Sequence, residues 1–164
     1  MAYPGRRGSM RGVAVRPGSG NHGAMEVTTA MLADAASVEN GKLYVHGGAW
    51  SVINTREVPV THPSMALALV FRVEYTEALE DHPIAIELLD EDDQSLGPRI
   101  DGIIHVGHPP RMRPGTPSFV PQAIRFNNVS FEREGGYRFR VSVRDEEVAS
   151  VQFRVLRSPQ QQAQ

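Results

Sequence analysis

The stretch Gly136–Val155, GYRFRVSVRDEEVASVQFRV, decides the fold. Tyr137, Phe139, Val141 and Val143 alternate with Arg138, Arg140 and Ser142. After an acidic turn, Ala149, Val151, Phe153 and Val155 alternate with Ser150, Gln152 and Arg154. A period of two marks a half-buried β-strand. An antiparallel pair with one buried face must set apolar against apolar. Pairing Val143 with Ala149 does so, and brings Val141 opposite Val151, Phe139 opposite Phe153 and Tyr137 opposite Val155. The loop is then Asp145, Glu146 and Glu147. A two-residue loop that sets Val141 opposite Ser150 mixes the faces and is rejected. Three-residue loops favour Gly at their last position. Glu147 stands there instead, so the sequence predicts an irregularity or bulge at this tip. The same register sets Arg138 opposite Arg154 and Arg140 opposite Gln152 on the outer face. Like charges across a ladder repel. Acids from neighbouring strands are expected to relieve them; the alternative is an anionic partner lying on Arg138, Arg140 and Arg154.

Working outward, Gly135-Gly136 precedes Tyr137 at the head of a strand. This resembles the tyrosine position at the E–F corner of immunoglobulin-like sandwiches. Residues 65–75 (MALALVFRVEY) form a second strong strand. Met65, Leu67, Leu69, Phe71, Val73 and Tyr75 share one face. Ala66, Ala68 and Val70 make the first half apolar on the other face too. The N-terminal strand or another subunit must cover that face, so Ala66, Ala68 and Val70 are a candidate assembly surface.

The remaining segments follow the same logic. Residues 25–36 read as a strand, and Glu39-Asn40-Gly41 as a hairpin turn. Lys42–Trp50 is a strand broken by Gly47-Gly48, where a bulge or a close backbone approach is expected. Trp50, the one tryptophan, packs in the core. Ser51–Val60 continues as an irregular strand into a loop at Pro59–Pro63. Residues 76–82 are an acidic loop, Ile84–Leu89 a strand, Asp90–Gly97 an acidic turn and Arg99–Val106 a strand. Gly107–Pro121 holds five of the twelve prolines. Proline removes a ladder donor, so this segment is expected to be an extended loop, and loops of this length are often functional. Gln122–Phe131 is a further strand. The expectation is one all-β antiparallel sandwich, immunoglobulin-like, of about eight strands. The domain spans 24–157, between a disordered tail at 1–23 and another at 158–164.

Composition narrows the function classes. The chain has 164 residues, enough for one domain with a sizeable core. It has no Cys, hence no disulfide framework and no thiolate chemistry. No apolar run reaches the length of a membrane span, and no apolar segment follows the N-terminal arginines as a signal peptide would require. The cytoplasm is the expected location. Net charge is −2, yet residues 1–23 carry Arg6, Arg7, Arg11 and Arg16 and no acid. A basic arm can contact nucleic acid, but without interleaved aromatics this reading is the weakest.

Motifs for chemistry are sparse. Asp90, Glu91, Asp92 and Asp93 invite a calcium reading. The run lacks the glycine and glutamate of an EF-hand loop, so a solvated turn is expected. Asp101 and His105 share a strand face, with His108 nearby; together they are the candidate metal set. Arg111 and Arg113 in the Pro-rich loop are candidate anion or partner contacts. No nucleophile elbow or phosphate loop is present, and no catalytic residue or cofactor is assigned.

Several segments carry a family resemblance: Ala33-Asp34-Ala35; Gly41-Lys42-Leu43-Tyr44 with Gly47-Gly48-Ala49-Trp50; Glu87-Leu88-Leu89-Asp90-Glu91-Asp92; Val106-Gly107 with Pro109-Pro110; Pro114-Gly115-Thr116-Pro117 before Val120-Pro121. Over residues 25–157 the chain resembles an uncharacterised family of small bacterial proteins, a domain of unknown function. The resemblance implies a single β-sandwich domain in a bacterial cytosolic protein and no activity. The expected function is a non-catalytic interaction or assembly module, binding a protein partner or itself, with no membrane role. The alternative is a small-molecule or metal site built from Asp101, His105 and the loop Gly107–Pro121.

Overall fold

The computed structural model describes residues 25–158. The basic tail at 1–23 and the C-terminal tail beyond Ser158 lie outside the described residues, and with them the nucleic-acid reading. Among the described residues nine strands are present: β1 (Glu26–Glu39), β2 (Lys42–Gly48), β3 (Val52–Thr55), β4 (Val60–Val73), β5 (Asp81–Asp90), β6 (Ile100–His105), β7 (Ser118–Phe131), β8 (Gly135–Val143) and β9 (Glu146–Arg157). They form a four-stranded sheet in the order β2-β1-β4-β7 and a five-stranded sheet in the order β3-β9-β8-β5-β6. All pairs are antiparallel except β3 with β9. The first sheet curls, bringing β2 towards β7. Among the described residues no helix is long and apolar enough to cross a membrane.

The alternating faces become the core. Met65, Leu67, Leu69, Phe71 and Val73 from β4 are fully buried. They pack with Tyr137, Phe139, Val141 and Val143 from β8 and Ala149, Val151, Phe153 and Val155 from β9. Phe153 centres the aromatic packing: it meets Phe131 edge-on at 5.7 Å, stacks on Phe139 at 6.0 Å and meets Trp50 edge-on at 6.2 Å. Burying each such ring contributes about 1.5–3 kcal/mol. Trp50 is half-buried against this core, and its indole N–H is buried without a partner.

The β8–β9 register differs from the expected one by two residues. Val141 faces Ala149, Phe139 faces Val151 and Tyr137 faces Phe153. The apolar faces still match, because a shift of two preserves parity. The loop is Arg144-Asp145, both left-handed at φ 49° and 66°, which is the signature of a two-residue type I′ turn. The ladder shifts between Val141 and Ser142, so a bulge near the tip absorbs one residue of β9. Arg138 therefore faces Gln152, Arg140 faces Ser150, and Arg154 faces Gly136. The expected Arg138–Arg154 opposition does not exist.

Proline positions give two further corrections. Pro59–Pro63 is not a loop: β4 starts at Val60 and runs through Pro63. There β4 pairs only with β7, because β1 joins it at Ala66 and beyond. One side of the strand is free, which is where a sheet tolerates proline. Likewise Pro121 lies inside β7, an edge strand, so the Pro-rich loop ends at Pro117. The Asn40-Gly41 turn forms as expected, with both residues at positive φ. Gly47-Gly48 marks a close approach: a Cβ on Gly47 would overlap the Asp34 carboxylate, and one on Gly48 would lie 2.8 Å from Val45 Cγ1.

Candidate functional site

The outer face of the β8 sheet is neutralised from within. Arg138 donates to Asp93 at 2.8 Å and to both oxygens of Glu147 at 3.1 Å. Burial depresses its ionisation, but the two carboxylates outweigh this and hold the guanidinium pKa above its ordinary value. Arg140 donates to Glu87 at 2.7 Å from the adjacent β5. Both arginines are half-buried and committed to carboxylates. Arg154 is exposed on β9, and Arg111 and Arg113 are exposed on turns of the Pro-rich loop. These five arginines form no common cluster of contacts.

The acidic turn after β5 is a structural device. Asp90 accepts backbone N–H bonds from Asp92 and Gln94, both at 2.9 Å, and Arg133 reaches it at 3.0 Å. The Gln94 amide, with Asp92 and Arg133, holds the Asp90 carboxyl below its ordinary range against partial desolvation. Glu91 accepts from the Gly136 amide at the head of β8. Tyr137 donates its hydroxyl to the Arg133 carbonyl at 2.8 Å. Burial raises the Tyr137 pKa. The β7–β8 corner is thereby tied to the β5 turn.

The candidate metal set does not converge. Asp101 accepts from Arg99 at 2.7 Å, and Arg99 also reaches Asp145 at 3.2 Å. His105 donates Nδ1–H to Asp81 at 2.9 Å. His108 stacks on Tyr75 at 4.1 Å and donates to the Tyr75 carbonyl. Among the described residues no group of three or more His, Asp or Glu is placed to hold a metal ion. Asp101 and His105 do share one face of β6, as expected, but as neighbours of different partners. The assembly surface also needs correction. Ala66 and Ala68 are buried within this one chain, opposite Ala33 and Met31 of β1, and only Val70 is half-exposed. Small side chains fit the curled sheet, and the chain covers that face itself.

Exposed apolar surface lies elsewhere. Among the described residues, Ile103 (67% exposed), Leu79 (62%) and Phe119 (59%) are the most exposed large apolar side chains. Ile103 sits mid-strand on β6, the edge of the five-stranded sheet. Leu79 donates its amide to Val106 just past β6, and Phe119 is the second residue of β7. Two shallow grooves flank them. One, of about 550 Å³, is lined by Pro83, Ala85, Arg99, Asp101, Ile103 and Asp145. The other, of about 540 Å³, runs between His105–Pro109 and Ser118–Val120. Sequence reading missed Ile103 and Leu79; the available signal was an apolar residue between Asp101 and His105 on one strand face.

A family model described as a family of unknown function (DUF6941) matches residues 28–156. The chain belongs to this family. Among curated proteins nothing matches. One solved structure, the Pseudomonas fluorescens alkylpurine DNA glycosylase AlkC bound to DNA containing an abasic site analog, is similar at TM-score 0.42 and 12% identity. The likeness covers 83% of this chain and 31% of that one, so this DUF6941 chain spans less than a third of that protein's length.

Proposed function

We propose that this DUF6941 protein is a non-catalytic interaction module that associates through the β6 side of its sandwich. The observation that carries the reading is Ile103, exposed mid-strand on an edge strand with one unpaired side, with exposed Leu79 and Phe119 beside the C-terminal end of that strand. Exposed apolar side chains gathered beside an open edge are the usual features of an association surface. An immunoglobulin-like assignment fits beside it. β4 and β7 pair as strands B and E do, and β5, β8 and β9 pair in the order C, F, G. β6 extends that sheet in the place of C′, and the Tyr137–Arg133 bond supports a tyrosine corner at the head of strand F. We assign the protein to the cytoplasm, since a chain without Cys does not depend on an oxidising compartment.

The test replaces Leu79, Ile103 and Phe119 together by Ser in the full chain. Sedimentation over a concentration range and chemical cross-linking in native extract read association, and thermal unfolding reads the fold. The reading predicts an unchanged fold with association lost. A triple variant that associates like the native chain, or a native chain that stays monomeric and uncomplexed in both assays, overturns it.

A further inference from the structure

The free side of β6 carries a specific set of backbone groups. Pro83 on β5 faces Ile103 on β6. The Pro83 carbonyl accepts from the Arg144 amide at 2.9 Å, on the β8 side. In an antiparallel strand the N–H and C=O of one residue point the same way, and facing residues either both point inward or both point outward. Since Pro83 turns away from β6, Ile103 turns away from β5. Asp101 and His105 share its parity. The free edge therefore presents the N–H and C=O of Asp101, Ile103 and His105. Ile100, Gly102 and Ile104 spend theirs on β5.

The side chains of those residues form a self-complementary series. Asp101, Ile103 and His105 all lie exposed on the outer face. A second copy laid antiparallel, with the two-fold axis at Ile103, sets Ile103 against the partner's Ile103. It sets Asp101 against the partner's His105, and His105 against the partner's Asp101. Those same three pairs are the ones whose backbone groups face each other, so each exchanges two N–H···O bonds. On the inner face, Gly102 meets the partner's Ile104, where the missing side chain relieves crowding. An axis one residue away, at Gly102, sets Asp101 against Ile103; an axis at Asp101 sets Asp101 against itself. Only the Ile103 axis satisfies charge, apolar contact and hydrogen-bond parity together.

Resting on the interaction reading above, we propose that the partner is a second copy of this chain, docked by antiparallel β6–β6 pairing about Ile103. The two five-stranded sheets become one continuous sheet. The Asp81–His105 pair then extends across the seam to the partner's Asp101, giving a row of alternating charge on the outer face when His105 is protonated.

The experiment uses the full chain and two single variants, Asp101→Arg and His105→Asp. Each places like or unmatched charge at two symmetry-related pairs and is expected to weaken the dimer roughly tenfold. Mixed together, they are complementary at every pair, so the heterodimer is expected to recover native affinity. In parallel, Ile103→Cys supplies the chain's one thiol. Facing residues of a hydrogen-bonded pair stand about 5.5 Å apart between Cα atoms, within disulfide range, so mild oxidation should cross-link this variant. Phe119→Cys, with the same thiol count, should not cross-link. Failure of the mixture to recover, or cross-linking through Phe119→Cys and not Ile103→Cys, overturns the β6 pairing while leaving an interaction module. A monomeric native chain that forms complexes with other proteins in extract does the same. A native chain that is monomeric and uncomplexed removes both.

Discussion

Two ionic regions lie on the same sheet and behave differently. On central β8, Arg138 and Arg140 are half-buried and matched by Asp93, Glu147 and Glu87 from neighbouring segments. On edge β6, Asp101 pairs with Arg99 two residues back along the chain and His105 pairs with Asp81 on β5, and Ile103 stands exposed between them. A central strand has neighbours on both sides to supply counter-charge. An edge strand has one, and leaves half of its polar groups for another chain. Charge on a strand is therefore informative about partners mainly at the edge.

Substitutions that separate core from edge give the largest contrast. Phe139→Ala removes a fully buried ring and is expected to cost about 3–5 kcal/mol in denaturant unfolding. Ile103→Ser, equally apolar in sequence, is expected to cost under about 0.5 kcal/mol in the monomer; a larger loss would make Ile103 a core residue and end the contrast. Tyr137→Phe removes the bond to the Arg133 carbonyl and is expected to cost about 1 kcal/mol, read by the same unfolding curves. Arg140→Ala leaves Glu87, only 15% exposed, without its cation and is expected to cost about 1 kcal/mol. Arg154→Ala, on an exposed position, should be silent within about 0.5 kcal/mol.

Acid acts on two carboxyls that lie outside both of these regions. Asp90 and Glu134 have folded pKa values below their ordinary 3.8 and 4.5, Asp90 mainly through the Gln94 amide and Glu134 mainly through the Arg157 amide. A depressed carboxyl contributes stability that is complete above the unfolded pKa and is lost as pH falls through the folded value. Stability should therefore fall on acidification below about pH 4, and Asp90→Asn should flatten that fall in a pH series of unfolding midpoints.

The faces of β4, β8 and β9 were legible because period two survives any even shift of register. The register itself was not, because it turned on Arg144-Asp145 adopting left-handed angles that neither residue advertises as Gly would. Proline misled twice, at Pro63 and Pro121, since a sequence does not say which strands have a free side. Asp101 and His105 were correctly placed on one face. The partner of His105, Asp81, follows from the β5–β6 register, which has no strong local signal, whereas Arg99 stands only two residues from Asp101. Ala66 and Ala68 looked uncovered because the curl of their sheet is a tertiary property.

Hydrogen exchange along β6, measured residue by residue at low and high protein concentration, tests the central claim most directly. Gly102 and Ile104, bonded to β5, should exchange slowly at both. Asp101, Ile103 and His105 should exchange fast when dilute and become protected when concentrated. Protection of these three amides that does not change with concentration, or fast exchange at both, would contradict pairing of β6 with a second copy.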